Sequence, residues 1–77
     1  MMAVLGQLQE ILREYTDDRS LVVRSDTSIL ADIGLSSYDL AQLICEVETH
    51  FRIEISDRAA MQMQTAGDLV AYIEQNR

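Results

Sequence analysis

The chain has 77 residues, a net charge of −7 and one cysteine, so it makes one small domain whose core forms without an intramolecular disulfide. The negative charge argues against a nucleic-acid partner, whose phosphates would repel the chain, and no apolar run approaches the length of a membrane span. Because no charged-then-apolar leader stands at the start, we expect a cytoplasmic protein without membrane insertion. We also expect a monomer.

The first predicted helix covers residues 3–15. Its apolar residues recur at the spacing of one buried helical face and are Val4, Leu5, Leu8, Ile11, Leu12 and Tyr15. The polar residues that follow, Thr16, Asp17 and Asp18, are typical of a turn and end the helix. Before the helix, Met1 and Met2 are interpreted as a start residue and a fraying end.

A long connection over about residues 17–36 shows no sustained helical period. We expect its apolar residues to anchor it in the core, and these are Leu21, Val22, Val23, Ile29, Leu30 and Ile33. A loop of this length in a small domain usually carries function or indicates that the helix assignment is wrong.

The second predicted helix covers about residues 37–51, with an apolar face formed by Leu40, Leu43, Ile44, Val47 and Phe51. Ser36 followed three residues later by Asp39 is the pattern of a capping box. Ser37 then lies on the first turn, where unpaired backbone N–H groups and the positive end of the helix dipole favour an anion. A serine hydroxyl at this position could carry a phosphate ester, although most serines at helix starts are only caps.

The last third of the chain contains two further cap patterns. Ser56 and Asp57 begin a short helix over about residues 57–62, and Thr65 with Asp68 begins a final helix that ends near residue 75. Ile53 and Ile55 alternate with charged residues, and the short helix carries Ala59, Ala60 and Met61. The core residues predicted here are Met61, Met63, Leu69, Val70 and Ile73. The fold predicted is all-α, a small bundle of three main helices plus one short helix with a long first loop.

The segment Asp32-Ile-Gly-Leu-Ser-Ser37-Tyr-Asp39 and the later Phe51-Arg-Ile-Glu-Ile-Ser-Asp57 together resemble the acyl carrier proteins, and the resemblance covers essentially the whole chain. It implies that residues 1–77 form a single carrier domain in which Ser37 receives 4′-phosphopantetheine from coenzyme A. The thiol of that group would hold an acyl chain as a thioester for fatty-acid or specialised-metabolite biosynthesis. The chain departs from the family at Ser36, where Asp is usual, and at Tyr38, where Leu or Met is usual.

The resemblance also implies partner enzymes, namely a phosphopantetheinyl transferase and acyl-loading and acyl-processing enzymes with basic docking patches. Residues 35–57 carry five acids against one Arg, a charge that would steer basic partners toward Ser37. The predicted docking residues are Ser36, Tyr38, Asp39, Gln42, Glu46 and Glu48. Tyr38 has a second interpretation, as a cover for the edge of the core.

Other chemistry is disfavoured by the residues available. His50 is about three and a half turns from Ser37 on the same helix, so no base activates the serine and the protein is not predicted to be an enzyme. Cys45 is expected to be buried or half-buried, His50 to be at the surface, and no metal site is expected. Two alternatives stay open: an amino-acid or peptidyl carrier, such as a D-alanyl carrier, and an unmodified helical interaction module.

Overall fold

The computed structural model describes residues 3–77, and within them the chain forms four helices and no strand. The helices are α1 (Val4–Thr16), α2 (Ser37–Phe51), α3 (Asp57–Gln62) and α4 (Ala66–Asn76). The all-α prediction is confirmed, and α2 and α3 have their predicted bounds. Thr16 was predicted to be a turn residue but is the last residue of α1. The interpretation of Met1 and Met2 lies outside the described residues.

All three capping patterns read from the sequence are present. The Ser36 and Thr65 hydroxyls each accept a bond from the backbone N–H three residues on, and the acid there bonds back to the cap residue. Ser56 caps α3 through the backbone N–H of Ala59. The unpaired N–H groups of the first turn are thus partly satisfied in each of these helices, so their starts are well defined.

One apolar cluster fills the space between the helices and the loops. Helix residues that are buried in it are Val4, Leu8, Ile11, Leu12, Leu43, Ile44, Val47, Ala66, Leu69 and Ile73. Loop residues that are buried in it are Val23, Ile29, Leu35, Ile53, Ile55 and Met63. Each fully covered leucine or isoleucine contributes about 1.5–3 kcal/mol, so the core holds the helices and also the long first loop, through Val23, Ile29 and Leu35.

The long first loop is tied to the start of α4 by backbone hydrogen bonds. The Ile29 nitrogen donates to the Gln64 oxygen at 3.0 Å, and the Ala66 nitrogen donates to the Thr27 oxygen at 2.9 Å. The Gly67 nitrogen donates to the Ser25 oxygen at 2.9 Å. The loop therefore has a defined path across the bundle and brings the residues before α2 to a fixed position.

Three residues predicted to be in the core are exposed instead. Val22 is 62% exposed and Leu30 is 46% exposed, because their neighbours Val23 and Ile29 are the residues that turn into the core. Met61 is 83% exposed, since the short helix α3 directs Ala59 and Ala60 toward the cluster. Met63, the other methionine predicted to be in the core, is buried.

Candidate functional site

Ser37 is the first residue of α2 and is exposed. The neighbouring Ser36 caps α2. Its hydroxyl accepts from the Asp39 nitrogen at 3.1 Å, and its nitrogen donates to Asp39 Oδ2 at 3.3 Å. Among residues 3–77, no partner is hydrogen-bonded to the Ser37 hydroxyl. The chain therefore presents an uncommitted hydroxyl on a well-defined first turn.

The turn before this serine is built around Gly34. Gly34 has φ +83°, in the left-handed region that favours glycine, and its nitrogen donates to the Leu30 oxygen at 3.1 Å. No atom lies within 4 Å of the position that a Cβ would take there. Leu35, which follows, is buried and holds the turn against the core. The approach to Ser37 from this side is open and its backbone is anchored.

An open groove of about 410 Å³ runs beside Ser37 between α2 and α3. Its apolar lining comes from Leu40, Ala41, Ile44, Ile55, Ala60 and Met61. Glu48 and Asp57 supply carboxylates at its margin. A group attached to the serine hydroxyl would have apolar surface within reach along the groove.

Of the residues that line this groove, only Ser37 and Glu48 were predicted as part of the site. Met61 was assigned to the core and Asp57 only to the cap of α3. No periodic signal in the sequence could have found them, because a helix of six residues is too short to show which face it presents.

Cys45 also lines the groove and is exposed, so the prediction that it is buried or half-buried is wrong. One residue along a helix is a rotation of about 100°. Ile44 points into the core, and the rotation between Ile44 and Cys45 places the Cys45 side chain outside the contact between helices.

The three acidic residues of α2 are half-buried, and each accepts a hydrogen bond within the chain. Asp39 is part of the capping box. Glu46 Oε1 accepts from the Tyr15 hydroxyl at 3.1 Å, and Glu48 Oε2 accepts from the Ile55 nitrogen at 2.8 Å. Burial, followed by the hydrogen bond to Glu46, raises the pKa of Tyr15 to about 12. These acids therefore stabilise the fold as well as contributing negative charge.

Tyr38 and Gln42 lie on the exposed side of α2. Tyr38 is 72% exposed, so it does not cover the edge of the core. The Gln42 amide Nε2 donates to the Tyr38 hydroxyl at 3.1 Å. This bond aligns the ring along the helix next to Ser37.

His50 is exposed, as predicted, and lies at the opposite end of α2 from Ser37. Its Nε2 is 3.0 Å from Gln7 Oε1 on α1. In the described part of the chain, no group of three or more His, Cys, Asp or Glu side chains is placed to hold a metal ion.

A four-helix domain with an exposed serine at the start of α2 and an apolar groove beside it is the architecture of a carrier domain. Residues 4–73 match the family described as "Phosphopantetheine attachment site". The chain is 33% identical to the acyl carrier protein of Wolinella succinogenes over 76 residues, which is 99% of this chain and 100% of that protein. It is also 33% identical over 76 residues to the acyl carrier protein of Helicobacter pylori strain J99, covering 99% of this chain and 97% of that protein.

Two solved structures are similar in fold. The holo acyl carrier protein from Geobacter metallireducens, solved in solution, has a TM-score of 0.83 and 27% identity, covering 96% of this chain and 85% of that one. An acyl carrier protein from Thermotoga maritima has a TM-score of 0.80 at 19% identity, covering 94% of this chain and 84% of that one, and supports the fold alone.

The chain belongs to the acyl carrier protein family. Members of this family carry a covalently bound 4′-phosphopantetheine, are carriers and not catalysts, and interact with phosphopantetheinyl transferases and acyl enzymes. The predicted family, cofactor and carrier role are therefore confirmed. No helix in residues 3–77 is long and apolar enough to cross a membrane.

Proposed function

We propose that Ser37 is the attachment residue, joined through its Oγ to 4′-phosphopantetheine in a phosphodiester, and that residues 1–77 act as a single carrier domain. The observation that carries the proposal is the exposed Ser37 hydroxyl, which is free of hydrogen bonds to residues 3–77 because Ser36 does the capping. A serine needed only as a cap would be engaged in the capping box.

The surroundings of Ser37 fit a phosphate group. The first turn of α2 has backbone N–H groups and the positive end of the helix dipole, which stabilise an anion there. Ser36 supplies the cap with a neutral hydroxyl, so no carboxylate precedes the phosphate directly. When bound, the group supplies the thiol that holds the cargo as a thioester. The chain itself holds the diester on a rigid turn and offers the groove to the attached arm.

We infer that the cargo is an acyl group used in fatty-acid or specialised-metabolite biosynthesis in the cytoplasm. The relatives named acyl carrier protein and the apolar lining of the groove beside Ser37 support this inference. A monomer is expected to serve a phosphopantetheinyl transferase and then acyl-loading and acyl-processing enzymes. The expected docking residues are Ser36, Tyr38, Asp39, Gln42, Glu46 and Glu48, and the basic groups of the partners are expected to meet the acids among them.

Intact mass spectrometry tests the attachment site. The protein is incubated with coenzyme A, Mg²⁺ and a broad-specificity phosphopantetheinyl transferase, and a gain of about 340 Da reports the added group. We expect the gain in the wild type and in the matched control Ser36→Ala, and no gain in Ser37→Ala. A gain in Ser37→Ala, or none in the folded wild type, would contradict the proposal.

The cargo is tested on the modified protein. We expect an acyl ligase with acyl substrates to load it, and an amino-acid adenylating enzyme to leave it unloaded. Loading by the amino-acid enzyme alone would assign an aminoacyl cargo instead and keep Ser37 as the attachment site.

A further inference from the structure

The outward face of α2 is uncharged. Its residues follow one another at helical spacing, are all exposed, and are Tyr38, Ala41, Gln42, Cys45 and Thr49. We call this set the neutral stripe. It begins next to Ser37 and borders the groove, whose rim carries the exposed Met61.

The acids of α2 lie beside the neutral stripe and not on it. Glu46 is on the α1 side, where it accepts from Tyr15, and Asp39 shares that edge two helical turns away. Glu48 is on the opposite edge, where it accepts from the Ile55 nitrogen. Each carboxylate is therefore held at the margin by an intramolecular bond.

Because the neutral stripe has no charged side chain, it favours apolar over charged groups of a partner. An ammonium or guanidinium group placed over its centre would lose water without gaining a facing carboxylate, which is unfavourable. Apolar side chains meet Ala41, Cys45 and Met61 there without such a loss. The Tyr38 hydroxyl accepts from Gln42, so its own proton is left to donate to an acceptor on a partner.

We propose that the neutral stripe docks a partner enzyme through an apolar, hydrogen-bonding surface that has no cluster of Lys or Arg at its centre. The inference rests on the proposed carrier function and concerns how Ser37 is recognised. The net charge of −7 then acts at long range, steering partners whose basic groups meet the acids at the margins of the stripe.

Two phosphopantetheinyl transferases test the proposal, one with a mainly apolar carrier-binding surface and one with an arginine-lined surface. The stripe variant is Ala41→Glu with Gln42→Glu. The matched control, Ala71→Glu with Gln75→Glu, adds the same two residue types at exposed positions of α4. Circular dichroism checks that both variants keep the helical content of the wild type, and kcat/KM for modification is measured with each enzyme.

Relative to the wild type, we expect kcat/KM of the stripe variant to fall by about threefold to tenfold with the apolar enzyme and to rise with the arginine-lined enzyme. The control variant should stay within about twofold with both enzymes. An unchanged stripe variant with the apolar enzyme, or equal shifts in stripe and control variants, would overturn the inference. Absence of modification of the wild type by both enzymes would instead overturn the carrier function on which the inference rests.

A second variant examines the acids themselves. Glu46→Gln with Glu48→Gln removes two charges while keeping two hydrogen-bond acceptors. With the apolar enzyme we expect kcat/KM to fall by less than in the stripe variant, because charges at the margins of the stripe act mainly by steering the approach of the partner. A larger loss than in the stripe variant would show that the flanking charges carry recognition, and the inference would fail.

Discussion

The Gly67 nitrogen donates to the Ser25 oxygen at 2.9 Å, and this contact leaves no room for a side chain on residue 67. A Cβ on Gly67 would lie 2.6 Å from that oxygen and 3.2 Å from the carbonyl carbon. The nearest of these atoms belongs to the backbone of the long loop, which cannot rotate aside as a flexible side chain would. The loop and α4 therefore approach each other closely because residue 67 is glycine.

Gly67→Ala is expected to destabilise the protein, although alanine is the better helix former. The reason is overpacking against Ser25, which costs about 1–3 kcal/mol. Chemical denaturation measures the free energy of unfolding. Ala71→Gly, at an exposed position of α4, measures the difference in helix propensity between alanine and glycine without overpacking, and should lower the free energy of unfolding by about 1 kcal/mol. A Gly67→Ala protein more stable than the wild type would contradict the close approach.

Ser36→Ala is expected to lower the free energy of unfolding by about 0.5–2 kcal/mol, because the Asp39 nitrogen loses its acceptor. Ser36→Asp keeps a capping oxygen and should unfold close to the wild type. Urea titration followed by circular dichroism measures both. If Ser36→Ala and Ser36→Asp lose the same stability, the cap is not the cause.

Tyr15 is expected to make stability fall at high pH. Burial and the bond to Glu46 raise its pKa from 10.0 to about 12 in the folded protein. The folded state therefore binds the phenolic proton more tightly than the unfolded state. The stability that protonated Tyr15 contributes is fully present below pH 10.0 and is lost as pH rises toward about 12. The chain has no lysine, and arginine stays protonated, so tyrosine titration is prominent in this window.

The measurement is the free energy of unfolding against pH, for the wild type and Tyr15→Phe. The variant should lose less stability through the alkaline window, while at neutral pH it is less stable by about 0.5–1.5 kcal/mol, the contribution of one hydrogen bond. Tyr38→Phe, which removes an exposed hydroxyl, is the control. Parallel curves for wild type and Tyr15→Phe would contradict the assignment to this residue.

Glu48 is expected to stabilise the connection between α2 and α3 as well as marking the edge of the groove. Glu48→Ala leaves the Ile55 nitrogen without the acceptor that lies at 2.8 Å, and should cost about 1–3 kcal/mol. Glu48→Gln keeps an oxygen acceptor and should cost less. Thermal unfolding compares them with Glu74→Ala, an exposed acid on α4. A loss no larger in Glu48→Ala than in Glu74→Ala would show that the bond does not matter.

The sequence predicted well those features that depend on neighbouring residues. The bounds of α2 and the pairing of Ser36 with Asp39 follow from helical periodicity and cap chemistry, which act within one or two turns. The position of Ser37 on the first turn follows from the same local rules. These rules also imply the all-α class, because each apolar face requires a helix partner.

Features that depend on tertiary packing were missed. Cys45 is apolar enough for a core, but the position of α3 relative to α2 decides which face of α2 is open. Met61 is exposed for the same reason. In the sequence, Gly67 indicates only a slightly weaker helix, since the backbone of Ser25 that requires it lies far away along the chain. Such relationships arise only once the loop has crossed the bundle.

The ties between the long loop and the start of α4 have a consequence for biosynthesis. Thr27 and Ile29 pair with residues that the ribosome adds much later, Ala66 and Gln64. Until those residues emerge, the loop lacks its partners and the start of α2 lacks the support that this loop provides. A transferase that requires the finished turn would therefore modify only copies in which the start of α4 has been made and has paired with the loop.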